Sequence, residues 1–277
     1  MMQKKLSCLM LSLLALTLSA VAASVNIISI PASTMEKTIP ATLILPDAYE
    51  NNADQRFPVL YLLHGAGGNH AGWNNAAEIS RLADEYGMIV LCPDGGKTSW
   101  YFDSPIDPTY QYETYVAKDC VQFMDSNYRT LAQRESRATC GLSMGGHGAL
   151  FLAIRHLDTF SVAVALSGGV DIRPFPNNWD IKLRIGEKQT NPENWEQFTV
   201  INLAKNLKND DLAISLDCGT GDFFREVNRA LHQQLIDDGI DHHFEENPGK
   251  HNWDYWKSAI QRQMIFIDQH IAHSLVQ

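Results

Sequence analysis

The sequence predicts an α/β fold with a mostly parallel central sheet flanked by helices. Three observations carry that expectation. Short uninterrupted apolar runs, such as Pro58-Val-Leu-Tyr-Leu-Leu63 and Met88-Ile-Val-Leu-Cys92, suit strands buried on both faces. Stretches with helical apolar spacing separate these runs, as strand–helix alternation in a parallel sheet requires. The composition, 45% hydrophobic and 19% charged over 277 residues, is that of a globular chain. No repeat, low-complexity segment or linker divides it, so one domain is expected.

The elements follow in order. Val25–Ile30 and Thr42–Leu45 read as strands, then Pro58–Leu63, and His64-Gly-Ala-Gly-Gly68 as a flexible loop. Trp73–Tyr86 has helical spacing through Ile79, Leu82, Ala83 and Tyr86. The strand Met88–Cys92 stops at Pro93-Asp-Gly-Gly96, and Thr98–Tyr110 is a loop rich in aromatics and prolines. Tyr112–Asn127 reads as a helix with Tyr115, Val116, Cys120 and Phe123 on one face. Arg137–Cys140 is a short strand and Met144–Arg155 a helix; Ser161–Ser167 is a strand ended by Gly168-Gly169. Asp171–Asn209 is long and mixed. Leu212–Leu216 is a strand, and Phe223–Asp238 a helix with Val227, Ala230, Leu231, Leu235 and Ile236 inward. His242–Glu246 and Trp253–Ile271 close the chain as strand and helix.

Residues 1–23 are expected to be a secretory signal rather than part of the domain, which then runs 24–277. Lys4 and Lys5 precede an apolar stretch, Leu6–Leu18, too short to span a bilayer, and Ala20-Val-Ala-Ala23 offers small residues for cleavage. Cleavage near Ala22 or Ala23 leaves roughly 254 residues. The expected location is secreted or periplasmic, with no membrane anchor. The formal charge of −10, near −12 once Lys4 and Lys5 are gone, and the lack of a basic cluster argue against a nucleic-acid partner. Without Cys8, the cysteines are Cys92, Cys120, Cys140 and Cys218. They are too few for a disulfide scaffold, lack zinc-type spacing, and read as buried small hydrophobes.

Gly141-Leu-Ser-Met-Gly145 matches G-x-S-x-G between a strand and a helix, the context of a nucleophile elbow. The serine there must sit on a sharp, strained turn, so the residues two before and two after it must be very small. Ser143 is the expected nucleophile. An oxyanion hole needs two backbone N–H groups aimed at the developing charge. Met144, at the helix N-terminus, supplies one. The loop after the Pro58–Leu63 strand supplies the other, with Ala66 the candidate and His64 an orienting side chain.

Ten histidines compete for the base. In hydrolase order the base follows serine and acid, which sets aside His64 and His70. His147 is one helical turn after Ser143 and reads as packed or solvated. His156, His232, His242, His243, His270 and His273 sit in or beside regular elements or the tail. His251 lies in Pro248-Gly-Lys-His-Asn-Trp253, a loop leaving the sheet edge that carries Ser143, and is the expected base. The acid that fixes its tautomer is expected at Asp222, in the glycine-flanked loop Cys218-Gly-Thr-Gly-Asp222, where it could also cap the next helix. Asp171 and Asp217 remain as alternatives.

The segments Tyr61-Leu-Leu-His-Gly-Ala-Gly-Gly68, Gly141-Leu-Ser-Met-Gly-Gly146, Cys218-Gly-Thr-Gly-Asp222 and Gly249-Lys-His-Asn-Trp-Asp-Tyr-Trp256 resemble the esterase D-like family of α/β-hydrolases. The resemblance covers essentially the whole mature chain. It implies an α/β-hydrolase fold with nucleophile Ser143, acid Asp222, base His251 and oxyanion donors Met144 and Ala66. It implies no role for His147, and no metal or cofactor. The leader favours the secreted carbohydrate esterases of that family, acting on acetyl or feruloyl esters of plant-type polysaccharide. The partner is then a small-molecule or oligosaccharide ester. Phe175, Trp179 and Trp195 in the Asp171–Asn209 stretch, with loop residues Tyr101, Phe102 and Tyr110, could offer ring faces to it or could equally pack inward. An acyltransferase, a generic short-chain esterase and a non-catalytic carbohydrate-binding relative are the alternatives.

Overall fold

The computed structural model describes residues 23–276; the expected leader lies outside them except for Ala23. Eight strands form one sheet: β1 (Ser24–Ala32), β2 (Lys37–Leu45), β3 (Val59–Leu63), β4 (Ile89–Pro93), β5 (Arg137–Leu142), β6 (Val162–Leu166), β7 (Ala213–Gly219) and β8 (His243–Asn247). Their order is β1-β2-β4-β3-β5-β6-β7-β8. β2 pairs antiparallel with β1 and β4, whereas every pairing among β3 to β8 is parallel. This is the α/β-hydrolase fold the sequence predicts.

The continuous apolar runs divide by period two. Val59, Tyr61 and Leu63 enter one core, while Leu60 and Leu62 enter the other. The first core is covered by the Met144–Arg155 and Arg225–Asp237 helices and the 112–127 segment. Ile79–Tyr86 and Trp253–His270 cover the second. The Met144–Arg155 helix starts at the centre of the sheet and is buried from Met144 to Ala153. Its near-uniform burial explains why its sequence is apolar all round.

Three helical expectations need correction. The expected Trp73–Tyr86 helix is two helices, Gly72–Ala76 and Ile79–Tyr86, broken where Ala77 is extended. This break leaves the Trp73 indole N–H donating to the Leu63 carbonyl at the end of β3, 2.9 Å away. Within 112–127, Tyr115–Cys120 is a π-helical turn. The wider turn carries the inward stripe on to Met124 and leaves Phe123 half-buried. The expected Phe223–Asp238 helix begins at Arg225, and Ala230 and Ile236 face outward. Asn228 is inward instead, its amide donating to the Gly168 and Phe224 carbonyls. The 171–209 stretch folds into short helices Ile181–Ile185, Pro192–Gln197 and Val200–Leu203.

Cys92, Cys120, Cys140 and Cys218 are free and buried. β3 separates Cys92 on β4 from Cys140 on β5, and β6 separates Cys140 from Cys218 on β7. One intervening strand puts such a pair about 9.6 Å apart, beyond disulfide reach. Burial pushes the Cys92 thiol up to about 12, so it stays protonated and unreactive. No helix among the described residues is long and apolar enough to cross a membrane.

Candidate active site

The turn between β5 and the Met144–Arg155 helix holds Ser143 at φ 55° and ψ −116°, a left-handed value unusual for serine. Glycine is required on both sides of it. A Cβ on Gly141 would come within 2.3 Å of the Gly145 carbonyl oxygen, and one on Gly145 within 2.4 Å of Leu63's. The turn is pinned from outside: Ser143 N–H donates to Leu166 O at 2.9 Å, and Gly169 N–H to Ser143 O at 3.3 Å. The side chain thereby projects above the carboxyl end of the sheet.

His251 arrives from the loop after β8. Gly221 N–H donates to Gly249 O at 2.8 Å, and Thr220 N–H to Asn247 O at 2.9 Å, so this loop is tied to the one after β7. Asn252 caps the following helix by accepting from Tyr255 N–H. His251 Nδ1 lies 2.8 and 3.0 Å from the Asp222 carboxylate oxygens, and Nε2 lies 2.9 Å from Ser143 Oγ. A carboxylate only accepts, so Nδ1 carries the hydrogen and Nε2 is free to receive the serine proton. The Asp222 side chain is fully buried, and Oδ1 also accepts from Phe224 N–H at 2.8 Å. Its turn-forming and histidine-orienting bonds therefore coexist, although the helix starts only at Arg225.

The alternative carboxylates are engaged elsewhere. Asp171 is held by Arg173, with Nε at 2.8 Å and Nη2 at 2.9 Å. Asp217 lies inside β7, where it accepts from Tyr255 O–H, Arg262 and Gln263. Burial pushes the Asp217 carboxyl above its ordinary value, against the pull of those donors.

The loop after β3 packs against the serine: a Cβ on Gly65 would come within 3.3 Å of Ser143 Cβ. His64 accepts from Gly95 N–H through Nε2 at 2.8 Å, which leaves Nδ1–H to donate to Gly65 O at 2.8 Å. Tyr101 O–H donates to His64 O at 2.9 Å, and Gly67 N–H to Lys97 O at 2.7 Å. His64 thus orients the loop, as expected. Among the described residues, neither Ala66 N–H nor Met144 N–H donates to a protein acceptor. Unpaired backbone donors in this loop and at the start of the helix after Ser143 are suited to a developing oxyanion.

His147 is fully buried, its Nδ1 on Gly169 O at 3.0 Å and its Nε2 without a partner among the described residues. Trp100 and Phe102 meet it edge to face and Phe151 stacks on it. Burial pushes its imidazole down to about 4, so it is neutral at neutral pH.

Three of the candidate ring faces pack inward. Tyr101, Phe102 and Trp195 are entirely buried, and the Trp195 indole N–H is spent on Gly186 O. The rings that do reach His251 were not anticipated: Phe223, Phe224 and Trp256, with centroids at 4.1, 5.4 and 4.9 Å. The adjacency of Phe223 and Phe224 to Asp222 was the available sequence signal. Reading Phe223 as a helix residue hid it.

The family model described as "Putative esterase" matches residues 32–267. The chain is 30% identical over 225 residues to an acetyl esterase of Caldicellulosiruptor saccharolyticus, covering 74% of this chain and 81% of that one. It superposes on a solved ferulic acid esterase with a TM-score of 0.78 at 27% identity, covering 91% of this chain and all of the other. It is also 34% identical over 129 residues to the diacylglycerol acyltransferase/mycolyltransferase Ag85A of Mycobacterium leprae, 43% of this chain and 38% of that one. With the model spanning nearly all of the described domain, this chain belongs to the esterase family, carboxylic ester hydrolases built on an α/β-hydrolase fold.

Proposed function

We propose that this protein is an exported serine esterase that removes acetyl or feruloyl groups from plant-type polysaccharide. One observation carries the chemistry: the continuous bond chain from Asp222 through His251 to Ser143, beside two unpaired N–H groups. Ser143 Oγ attacks the ester carbonyl while His251 Nε2 takes its proton. Ala66 and Met144 N–H groups hold the oxyanion of the tetrahedral intermediate. Asp222 keeps Nδ1 protonated and stabilises the imidazolium. His251 then gives its proton to the leaving alcohol, and the acyl group stays on Ser143. Water, deprotonated by His251, releases the acid.

The substrate class is supported by the acetyl esterase and ferulic acid esterase relatives and by the acidic chain. A charge near −12 after leader removal would be repelled by anionic lipid surfaces. A fluorophosphonate probe should label the wild type and not Ser143→Ala; equal labelling would dismiss Ser143 as nucleophile. A panel of acetyl, butyryl, feruloyl and palmitoyl esters then reads the acyl group, and preference for palmitate would reject the carbohydrate assignment. Acyl transfer to an added sugar alcohol in preference to water would make the enzyme an acyltransferase instead. Export is tested by the N-terminal residue of protein recovered outside the cytoplasm.

A further inference from the structure

Beside His251 stand two rings from separate parts of the chain. Phe223 follows Asp222 directly, and its ring centroid lies 4.1 Å from that of His251 at an interplanar angle of 38°. Although it touches the imidazole, Phe223 is 53% exposed. Trp179, from the 171–209 stretch, lies nearly parallel to it, offset, with centroids 5.8 Å apart and planes at 17°. Trp179 is backed by Phe175 and Phe224, and its carbonyl accepts from the Trp100 indole N–H at 3.1 Å.

The backbone that presents Trp179 is strained. Trp179 and Asp180 have φ of 47° and 56°, consecutive left-handed residues with no glycine between them. L-residues with side chains avoid this region, and such strain persists where surrounding structure holds a side chain in a required place. The Asp180 carboxylate is held on one oxygen by Thr98 Oγ1 at 3.2 Å. Asp180 is exposed.

Reaction geometry decides which half of the ester this shelf meets. The leaving oxygen takes its proton from His251 Nε2, so the alcohol half lies along the imidazole. The carbonyl oxygen points the other way, to Ala66 and Met144. A surface built on the imidazole therefore faces the alcohol half. Its rings carry no charge, which suits a neutral partner with an apolar face and hydroxyl edges.

We propose that Phe223 and Trp179 form the alcohol-side subsite and stack on the apolar face of the sugar ring that carries the ester. This assignment rests on the carbohydrate-esterase reading above. The test compares kcat/KM for sugar and methyl esters of the same acid. The pairs are acetylated xylo-oligosaccharide against methyl acetate, and feruloylated arabino-oligosaccharide against methyl ferulate. The wild type should favour the sugar ester of the acid it accepts. Phe223→Ala and Trp179→Ala should lower that sugar-to-methyl ratio about tenfold, mainly through KM, the order expected from losing an aromatic contact. Trp179→Phe should recover most of it. Phe223→Leu, which keeps apolar volume over His251 but removes the ring face, should behave like Phe223→Ala. A wild-type ratio near one would overturn the carbohydrate reading and the subsite with it. A high wild-type ratio that survives in the variants would overturn the subsite alone. So would equal losses on both esters, which would make the rings mere support for His251.

Discussion

Two histidines flank Ser143, and the structure treats them in opposite ways. His251 comes from a loop, keeps 14% of its side chain exposed, and binds a carboxylate through one nitrogen and the serine hydroxyl through the other. His147 comes from the helix that starts at Ser143, is wholly buried, and has one backbone carbonyl as its partner. His251 has a carboxylate, Asp222, 2.8 Å from its Nδ1. A proton arriving on His147 would meet aromatic rings and no counter-ion in contact. Closeness to the nucleophile therefore does not make a base; a carboxylate partner and an acceptor nitrogen aimed at the hydroxyl do. His147 instead serves the backbone. Its Nδ1–H holds Gly169, whose own N–H holds the Ser143 carbonyl.

The widest way to separate them is to delete the proposed base. His251→Ala should lower kcat by about 10⁶, the loss that removing the histidine causes in a hydrolase of this mechanism. Turnover of p-nitrophenyl acetate by the purified variant reads it, and loss below tenfold would remove His251 from the mechanism. Next in size is the carboxylate that distinguishes the two imidazoles. Asp222→Asn should leave the fold intact, present the wrong tautomer, and cost about 10⁴ in kcat. Asp171→Asn should cost far less, because that carboxylate serves Arg173. Asp217→Asn should appear in thermal denaturation rather than in kcat. It disturbs a buried set with Tyr255, Arg262 and Gln263 and should cost about 1–3 kcal/mol of stability. A larger kcat loss in Asp171→Asn or Asp217→Asn than in Asp222→Asn would reverse the assignment of the acid.

The difference between the histidines was legible in the sequence to the extent that it depends on chain order. Runs such as Val59–Leu63 fit strands buried on both faces. A glycine two residues either side of Ser143 marks a turn where backbone packs on backbone. The loops after late strands leave one sheet edge, which brought Asp222 and His251 to Ser143. Side-chain direction was not legible. Asn228 faces inward because two carbonyls await its amide, and neither lies in a pattern a helical stripe reveals. The π turn at Tyr115–Cys120 has no periodicity signal short enough to read. Trp195 looked like Trp179 in sequence, yet one indole is buried on Gly186 O while the other reaches the stack beside His251. That choice is made by the tertiary packing of the short helices.

The smallest expected effect concerns His147 and is one of pH. Its imidazole is pushed down to about 4 from an ordinary 6.5 by burial, opposed by its bond to Gly169 and by the Asp171 charge. In the unfolded chain the same side chain binds a proton near 6.5. Between these values the unfolded state holds more protons than the folded one, so stability rises with pH. The contribution is whole above about 6.5, is lost progressively as pH falls, and is gone near 4. Its full size is on the order of 3 kcal/mol. His147→Leu cannot titrate, and it leaves the Gly169 carbonyl without its donor, which should cost about 1–3 kcal/mol at pH 7. Denaturant melts of both proteins at pH 7, 6, 5 and 4.5 should therefore converge as pH falls, the wild type losing stability more steeply. Parallel curves across that range would mean that His147 gains its proton without unfolding. The contrast with His251 would then lie in geometry alone and not in charge.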